Sequence, residues 1–299
     1  MLKLDYNYYE DIELELTTTC NAKCPLCARN YNNFKIKYPE SKTRDLSEII
    51  KQLELFTNLK IVRLVGSISE PTLYPYFFEL ISYLNVRKIL IEICTNGDTN
   101  NHEWWKKLGN ILKYEDKVYF TICGSTQEIH EIYRRNTNLK NILLNAEFLR
   151  SEKNIDYAQC IMFKYNEDDL KSDKFKELIE CFSNIYFTET YLKSNNSKYK
   201  NQINIEQVGP PTHREKLYNL FKKLSFKEMT KIDDYNCMSL QNKSLQIDIN
   251  GKIFPCYLYL ENNITWNNNY SSIINNPSCN LCKKNVSVLI NSTKSNYII

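Results

Sequence analysis

The stretch IELELTTTCNAKCPLC, residues 12–27, decides how the rest of the chain is read. Its first part alternates: Ile12, Leu14 and Leu16 are apolar and Glu13 and Glu15 between them are acidic. That is the pattern of a half-buried strand. Thr17, Thr18 and Thr19 lead from it directly into Cys20, Cys24 and Cys27, a C-x3-C-x2-C spacing. In parallel α/β barrels the reactive groups gather at the C-terminal ends of the strands. Three cysteines at the exit of a first strand therefore stand where an active site belongs.

Outward from this stretch, apolar segments of two periods alternate. Asp45-Leu46-Ser47-Glu48 resembles a capping box, and Leu46, Ile49, Ile50 and Leu53 follow at helical spacing. A strand is predicted over 60–65. Pro75 suits a first helical turn, and Phe78, Ile81 and Leu84 continue that helix. An isoleucine-rich strand over 88–94 ends at Asn96-Gly97, a helix spans 102–112 and a strand 117–122. A helix over 139–149 and a strand over 156–163 come next. Asn166 is expected to cap a helix carrying Leu170, Phe175, Leu178, Ile179 and Phe182, and 185–188 is a sixth strand. Strands alternating with helices imply parallel βαβ units. The predicted fold is α/β: a partial (β/α)6 barrel over 1–190, a linker and bridging helix over 191–232, and a small cysteine-rich domain over 233–299. The linker is polar and ends in Pro210-Pro211, and the bridging helix is expected over 212–228.

Bulk properties exclude several classes. The chain has 299 residues, 42% of them hydrophobic, enough for a large core. Its 39 basic and 35 acidic residues leave a net charge of +4, which gives no footprint for nucleic acid. The first residues are acidic where a signal peptide would be apolar. The longest apolar run, around 81–94, is interrupted by Arg87, Lys88 and Glu92. A soluble, cytoplasmic protein with no membrane partner is expected. In a reducing compartment eleven cysteines point to metal or catalysis rather than disulfides. The three histidines, His102, His130 and His213, are far apart, so a metal site here is a thiolate site and a His-based hydrolase lacks its parts.

Three local thiolates have a specific chemical meaning. A structural zinc is closed by four ligands, and a cubane iron–sulfur cluster normally takes four cysteines, one per iron. Three leave one iron open to an amine and a carboxylate. A zinc site completed by a distant fourth cysteine is the alternative. CNAKCPLC resembles the signature of the radical S-adenosylmethionine (SAM) superfamily. The resemblance implies a [4Fe-4S] cluster on Cys20, Cys24 and Cys27, and SAM on the open iron. It further implies reductive cleavage to methionine and a 5′-deoxyadenosyl radical, which takes a hydrogen atom from a substrate. Leu26 stands where the family usually has an aromatic residue near the adenine.

Further motifs are similar to the family's. Gly66-Ser67-Ile68-Ser69-Glu70-Pro71 resembles its GGEP-type element, which receives the SAM amino group. Glu70 would add negative charge there, and Ser69, in place of glycine, would change the loop's backbone angles. Thr95-Asn96-Gly97 resembles the TNG element. Phe120-Thr121-Ile122-Cys123-Gly124 resembles an S-I-D-G strand end, with Arg134 following. By resemblance Thr121 and Arg134 hold the SAM carboxylate, and Ile161 or Phe163 borders the adenine. Cys123 is a candidate hydrogen-atom donor, with a small buried hydrophobe as the plainer reading. Cys94, Cys160 and Cys181 read as core residues.

Cys237, Cys256, Cys279 and Cys282 form a second set. QIDINGKIFPC, residues 246–256, reads as a hairpin turning at Asn250-Gly251, which carries Cys256 back toward Cys237. The spacing resembles a twitch domain, related to SPASM, and implies a second, auxiliary [4Fe-4S] cluster; a zinc ribbon is the alternative. The resemblance covers 12–166 and 237–282, and 185–235 is unmatched. Relatives with such extensions modify ribosomally made peptides, oxidise amino-sugar alcohols or rearrange nucleotides. A peptide or small-metabolite substrate and an electron donor such as flavodoxin or ferredoxin are therefore expected. The competing reading is a non-catalytic iron–sulfur or zinc protein that keeps the fold.

Overall fold

The computed structural model describes residues 5–25, 27, 41–189, 208, 211–212 and 243–254. Leu26, all but the first residue of the helix expected over 212–228, and Cys237, Cys256, Cys279 and Cys282 lie outside the described residues. The strands are β1 (Asp11–Leu14), β2 (Ile61–Leu64), β3 (Leu90–Thr95), β4 (Lys117–Ile122), β5 (Asp156–Met162), β6 (Asn184–Glu189), β7 (Ser244–Ile247) and β8 (Ile253–Phe254). The helices are α1 (Leu46–Glu54), α2 (Phe77–Val86), α3 (His102–Ile111), α4 (Gln127–Tyr133), α5 (Leu139–Arg150) and α6 (Asp173–Ile179). They form one eight-stranded sheet in the order β6-β5-β4-β3-β2-β1-β7-β8, parallel throughout except for β8. This is the expected α/β architecture, with the C-terminal hairpin added to it. β7 runs parallel beside β1, with Glu13 opposite Gln246. An unpaired β1 would expose a row of backbone donors and acceptors, and β7 satisfies that edge. Among the described residues no helix is long and apolar enough to cross a membrane.

The two faces of the sheet differ chemically. Ile12, Leu14, Val62, Leu64, Ile91, Ile93, Val118, Phe120, Ala158 and Cys160 point to the helix layer and are 0–1% exposed. There they join Ile49, Leu53, Leu80, Trp105, Leu108, Ile142 and Phe175 in one core. The alternate residues line the inner face, and most of them are polar, among them Asp11, Glu13, Arg63, Glu92, Lys117, Tyr119 and Gln159, with Ile61, Leu90 and Ile161 between. The curl of the sheet shelters them, so that Asp11 is buried although no helix covers it.

Local signals explain most helix starts. Asp45 caps α1 by accepting from Ser47 N at 2.8 Å and Glu48 N at 3.2 Å, a contribution of about 1 kcal/mol. Asn101, Thr126, Asn138 and Ser172 cap α3, α4, α5 and α6 in the same manner. Pro75 lies just before the N-cap residue Tyr76 of α2 rather than in the first turn. Asn166 does not cap α6. Its amide instead donates to the carbonyls of Cys123 and Ile161 and accepts from Phe163 N, which ties the ends of β4 and β5 together. Of the three cysteines read as core, Cys160 is buried in it, Cys94 is half-buried on the inner face, and Cys181 is exposed. Cys181 follows the short α6, whose periodicity does not extend to it.

Gly97, in the turn after β3, has φ +76°, and a Cβ there would meet Phe120 at 2.6 Å and Ile142 at 3.0 Å. Gly97→Ala is expected to cost about 2–4 kcal/mol, from the left-handed backbone and the overpacking. Val86→Ala, at a position 83% exposed, should stay within about 0.5 kcal/mol. Thermal or urea unfolding checks the pair, and equal stability of the two variants would contradict this packing.

Candidate active site

The three cysteines leave β1 on a turn that neighbouring loops hold from several sides. Cys27 N donates to Cys24 O at 3.1 Å, closing the turn. Below it, Thr18 N donates to Lys42 O at 2.8 Å and Arg44 N to Leu16 O at 3.0 Å, so the strap at 41–44 fixes the strand exit. The loop after β2 reaches in through Glu70 N to Thr19 O at 2.9 Å. The loop after β3 contributes Asn96, whose amide donates to Asn21 Oδ1 at 2.7 Å. Asn21 in turn donates to Asp98 O at 2.8 Å. The segment after α4 adds Asn136 Nδ2 to Asn21 O at 2.7 Å, and its Arg135 O accepts from Lys23 N at 2.9 Å. Asn21 is thus the hub of the turn. The sequence reading passed over it, although an Asn beside the first cysteine is a visible signal for local hydrogen bonding.

Each remaining candidate has a definite place. Gly66 has φ +57°, and a Cβ on it would lie 2.5 Å from Ser69 O and 2.8 Å from Pro71. The turn therefore requires glycine. Ser69 keeps a negative φ, since Gly66 supplies the left-handed residue three positions earlier; its hydroxyl donates to Glu15 at 3.1 Å. The Glu70 carboxylate is buried and receives Thr72 Oγ1 at 2.7 Å, Thr95 Oγ1 at 2.7 Å and Asn96 N at 2.8 Å. It ties the β2 loop to the end of β3. Burial raises its pKa, and those donors act against the rise. Thr121 Oγ1 lies 3.3 Å from both Thr95 O and Gln159 Oε1 on the inner face.

Arg134 and the thiols share one pocket. Arg134 Nη1 donates to Cys24 Sγ at 3.5 Å, and Asn96 Nδ2 lies 3.9 Å from Cys20 Sγ. Burial, followed by the charge of Glu70, pushes the Cys20 thiol up to about 12. Burial works against the Arg134 guanidinium, but Cys24, Cys123 and Tyr133 hold its proton more firmly than usual. Arg134 Nε is buried and has no acceptor among the described residues. An orphaned donor of this kind costs about 1–3 kcal/mol, and a carboxylate would satisfy it bidentately with Nη. Among the described residues no three His, Cys, Asp or Glu side chains converge as ligands of a single metal ion. A thiolate-bound cluster would relieve the raised thiol and a carboxylate the orphaned guanidinium, so these residues fit both groups.

Cys123 is fully buried with Phe163 and Val208 in a small cluster above the main core, and Ile161 packs against it. Its thiol is pushed up to about 11 by burial. Its backbone is fixed by His130 Nδ1, Tyr165 OH and Asn166 Nδ2 at 3.1–3.2 Å. His130 is buried too, and desolvation lowers its pKa to about 3, so it serves as a neutral strut.

Comparison with known proteins matches this arrangement. The family model described as the Radical SAM superfamily matches residues 14–175. The chain is 23% identical over 266 residues to the tungsten-containing aldehyde ferredoxin oxidoreductase cofactor-modifying protein of Pyrococcus furiosus, covering 83% of this chain and 70% of that one. In fold it is similar to SuiB of Streptococcus suis bound to SAM, with a TM-score of 0.63 at 14% identity, over 87% of this chain and 63% of SuiB. It is also similar to anSMEcpe with bound AdoMet, with a TM-score of 0.59 at 16% identity, over 91% and 79% of the two chains. The match thus spans less than two thirds of SuiB. The cysteine turn at the end of β1 lies within the matched segment, and the chain belongs to the radical SAM superfamily.

Proposed function

We propose that the chain cleaves SAM reductively at a [4Fe-4S] cluster held by Cys20, Cys24 and Cys27, and that it modifies a peptide or a small metabolite. The observation that carries this reading is the clamped three-thiol turn beside a buried guanidinium whose Nε lacks an acceptor among the described residues. When bound, the cluster supplies the electron that splits SAM into methionine and a 5′-deoxyadenosyl radical able to take a hydrogen atom. The chain's own residues position the reactants. Arg134, with Thr121 below it, orients the SAM carboxylate, and the Gly66–Ser69 turn offers its backbone carbonyls to the amino group. Asn96 and Asn21 hold the thiols in place, Glu70 braces their loops, and Leu26 and Ile161 flank the adenine. The inner face of the sheet, polar and sheltered, is where substrate would meet the radical.

A peptide substrate is favoured by the likeness to SuiB, which has also been solved bound to its precursor peptide SuiA. A flavodoxin or ferredoxin is the expected electron donor. The β7–β8 hairpin ends at Phe254, two residues before Cys256. Cys256 would then hold a twitch-like auxiliary [4Fe-4S] cluster with Cys237, Cys279 and Cys282; zinc is the alternative metal there. The packing of Cys123 supports a structural role for it, and hydrogen-atom donation is the second reading. Cys123→Ala that still gives the same product would discard donation.

Two measurements test the reading. Anaerobically reconstituted, dithionite-reduced protein should form 5′-deoxyadenosine from SAM, and the Cys20/Cys24/Cys27→Ala variant should form none and lose about four irons. Clustered wild-type protein that makes no 5′-deoxyadenosine would instead support a non-catalytic binder. Arg134→Met is expected to raise the SAM Kd about 10–100-fold, the loss of a charged hydrogen bond. Equilibrium dialysis showing unchanged affinity would remove Arg134 from the site.

A further inference from the structure

Six acidic and basic side chains (Asp11, Glu13, Glu15, Arg63, Glu92 and Lys117) share the inner side of β1 to β4, and their charges do not balance. Arg63 pairs with Asp11 at 2.8 Å and with Glu92 at 2.9 Å, and Lys117 pairs with Glu92 at 2.9 Å. Both cations are thereby committed. Glu13 and Glu15 have no ion pair among the described residues; Arg63 acts on Glu13 only through space. Glu15 is 4% exposed. Burying a carboxylate without a counter-charge is costly, and the hydroxyls present do little to offset it. Ser67 Oγ donates to Glu13 at 3.0 Å and is also shared with Glu15, which accepts from the Ser67 backbone N–H as well; these donors are neutral and leave both charges uncompensated. Ser69 Oγ adds one bond to Glu15 at 3.1 Å.

The third wall is Gln246 on β7, opposite Glu13 in register and 6% exposed. Its side chain is hydrogen-bonded to Glu13. Its Oε1 is buried and has no donor among the described residues. The amide therefore spends its N–H on the carboxylate and leaves an unsatisfied acceptor beside the acidic pair. Two carboxylates without an ion pair among the described residues thus face an amide oxygen without a donor. An ammonium has three N–H donors and a positive charge, and would answer both deficits at once.

We infer that Glu13, Glu15 and Gln246 form a pocket for a protonated primary amine of the substrate, such as a lysine side chain or an amino-bearing metabolite. The inference rests on the radical SAM reading for its meaning, since the pocket lies on the inner face below the cysteine turn. Glu15 follows the last residue of β1 and stands five residues before Cys20 in the exit from that strand, and Ser67 and Ser69 belong to the turn assigned to SAM. An amine anchored there would be held on the side of the sheet where SAM is cleaved.

The test uses full-length reconstituted protein saturated with SAM, and equilibrium dialysis of two labelled probes. These are Nα-acetyl-lysine N-methylamide and the neutral Nα-acetyl-norleucine N-methylamide. The lysine probe should bind at least tenfold more tightly. The preference should vanish in Glu13→Gln/Glu15→Gln, which keeps side-chain shape and removes the buried charge. Gln246→Met should reduce it several-fold. SAM affinity measured in parallel should stay within twofold. Equal binding of the two probes to the wild type would overturn the inference. So would a loss of SAM affinity above tenfold in the double variant, which would assign the pocket to SAM's own ammonium. Lysine preference in protein that makes no 5′-deoxyadenosine would uphold the pocket and refute the radical reading separately.

Discussion

A turn bearing three thiols is useful only if it is held still, and the hydrogen bonds around Asn21 do this. Asn21 binds Asp98 O, Asn96 and Asn136, so one short side chain and its carbonyl join the cysteine turn to two other loops. Glu70 and Arg135 fasten the residues on either side. Ordering a free loop would cost about 1–2 kcal/mol per residue at the moment a cluster is bound. Here much of that ordering is completed by folding. The thiols are also sheltered, and the Cys20 thiol, raised to about 12, holds its proton until a metal competes for the sulfur.

The same sheet meets two demands with its two faces. Toward the helices it is mostly apolar, with Thr95 and Asp156 as exceptions, and Trp105 closes that layer with its indole N–H donated to Thr99 O at 2.8 Å. Toward the inside it carries charges and tyrosines, with Tyr119 and Tyr157 in contact at 4.9 Å between ring centres. Side-chain alternation along a strand makes this division automatic. Residues that determine stability and residues free to vary with substrate are therefore interleaved one by one.

Much of this was legible in the sequence, for physical reasons that also set the limits. The β4 strand was bounded correctly because apolar alternation and flanking polar residues agree there, and Asp45 announced α1 through its capping chemistry. The hairpin at Asn250-Gly251 was legible because the turn requires a left-handed residue, and Gly251 has φ +76°. Its parallel pairing with β1 was not, because a partner more than two hundred residues away leaves no local trace. Asn166 misled because an amide can cap a helix or tie two strands, and only tertiary contacts choose. The short α4 was passed over, having too few turns to display a period. Glu13 and Glu15 read as the wet side of a strand; the curl of the sheet turned that side inward.

The most direct measurement is electron paramagnetic resonance of the dithionite-reduced, reconstituted protein, recorded with and without SAM. A reduced cubane signal that is absent from the Cys20/Cys24/Cys27→Ala variant, and whose g-values shift when SAM is added, is the outcome expected of a cluster with one iron open to the cofactor. A reduced spectrum that the triple substitution leaves wholly unchanged, with no cubane signal lost, or one in which SAM shifts no cubane signal, would contradict it.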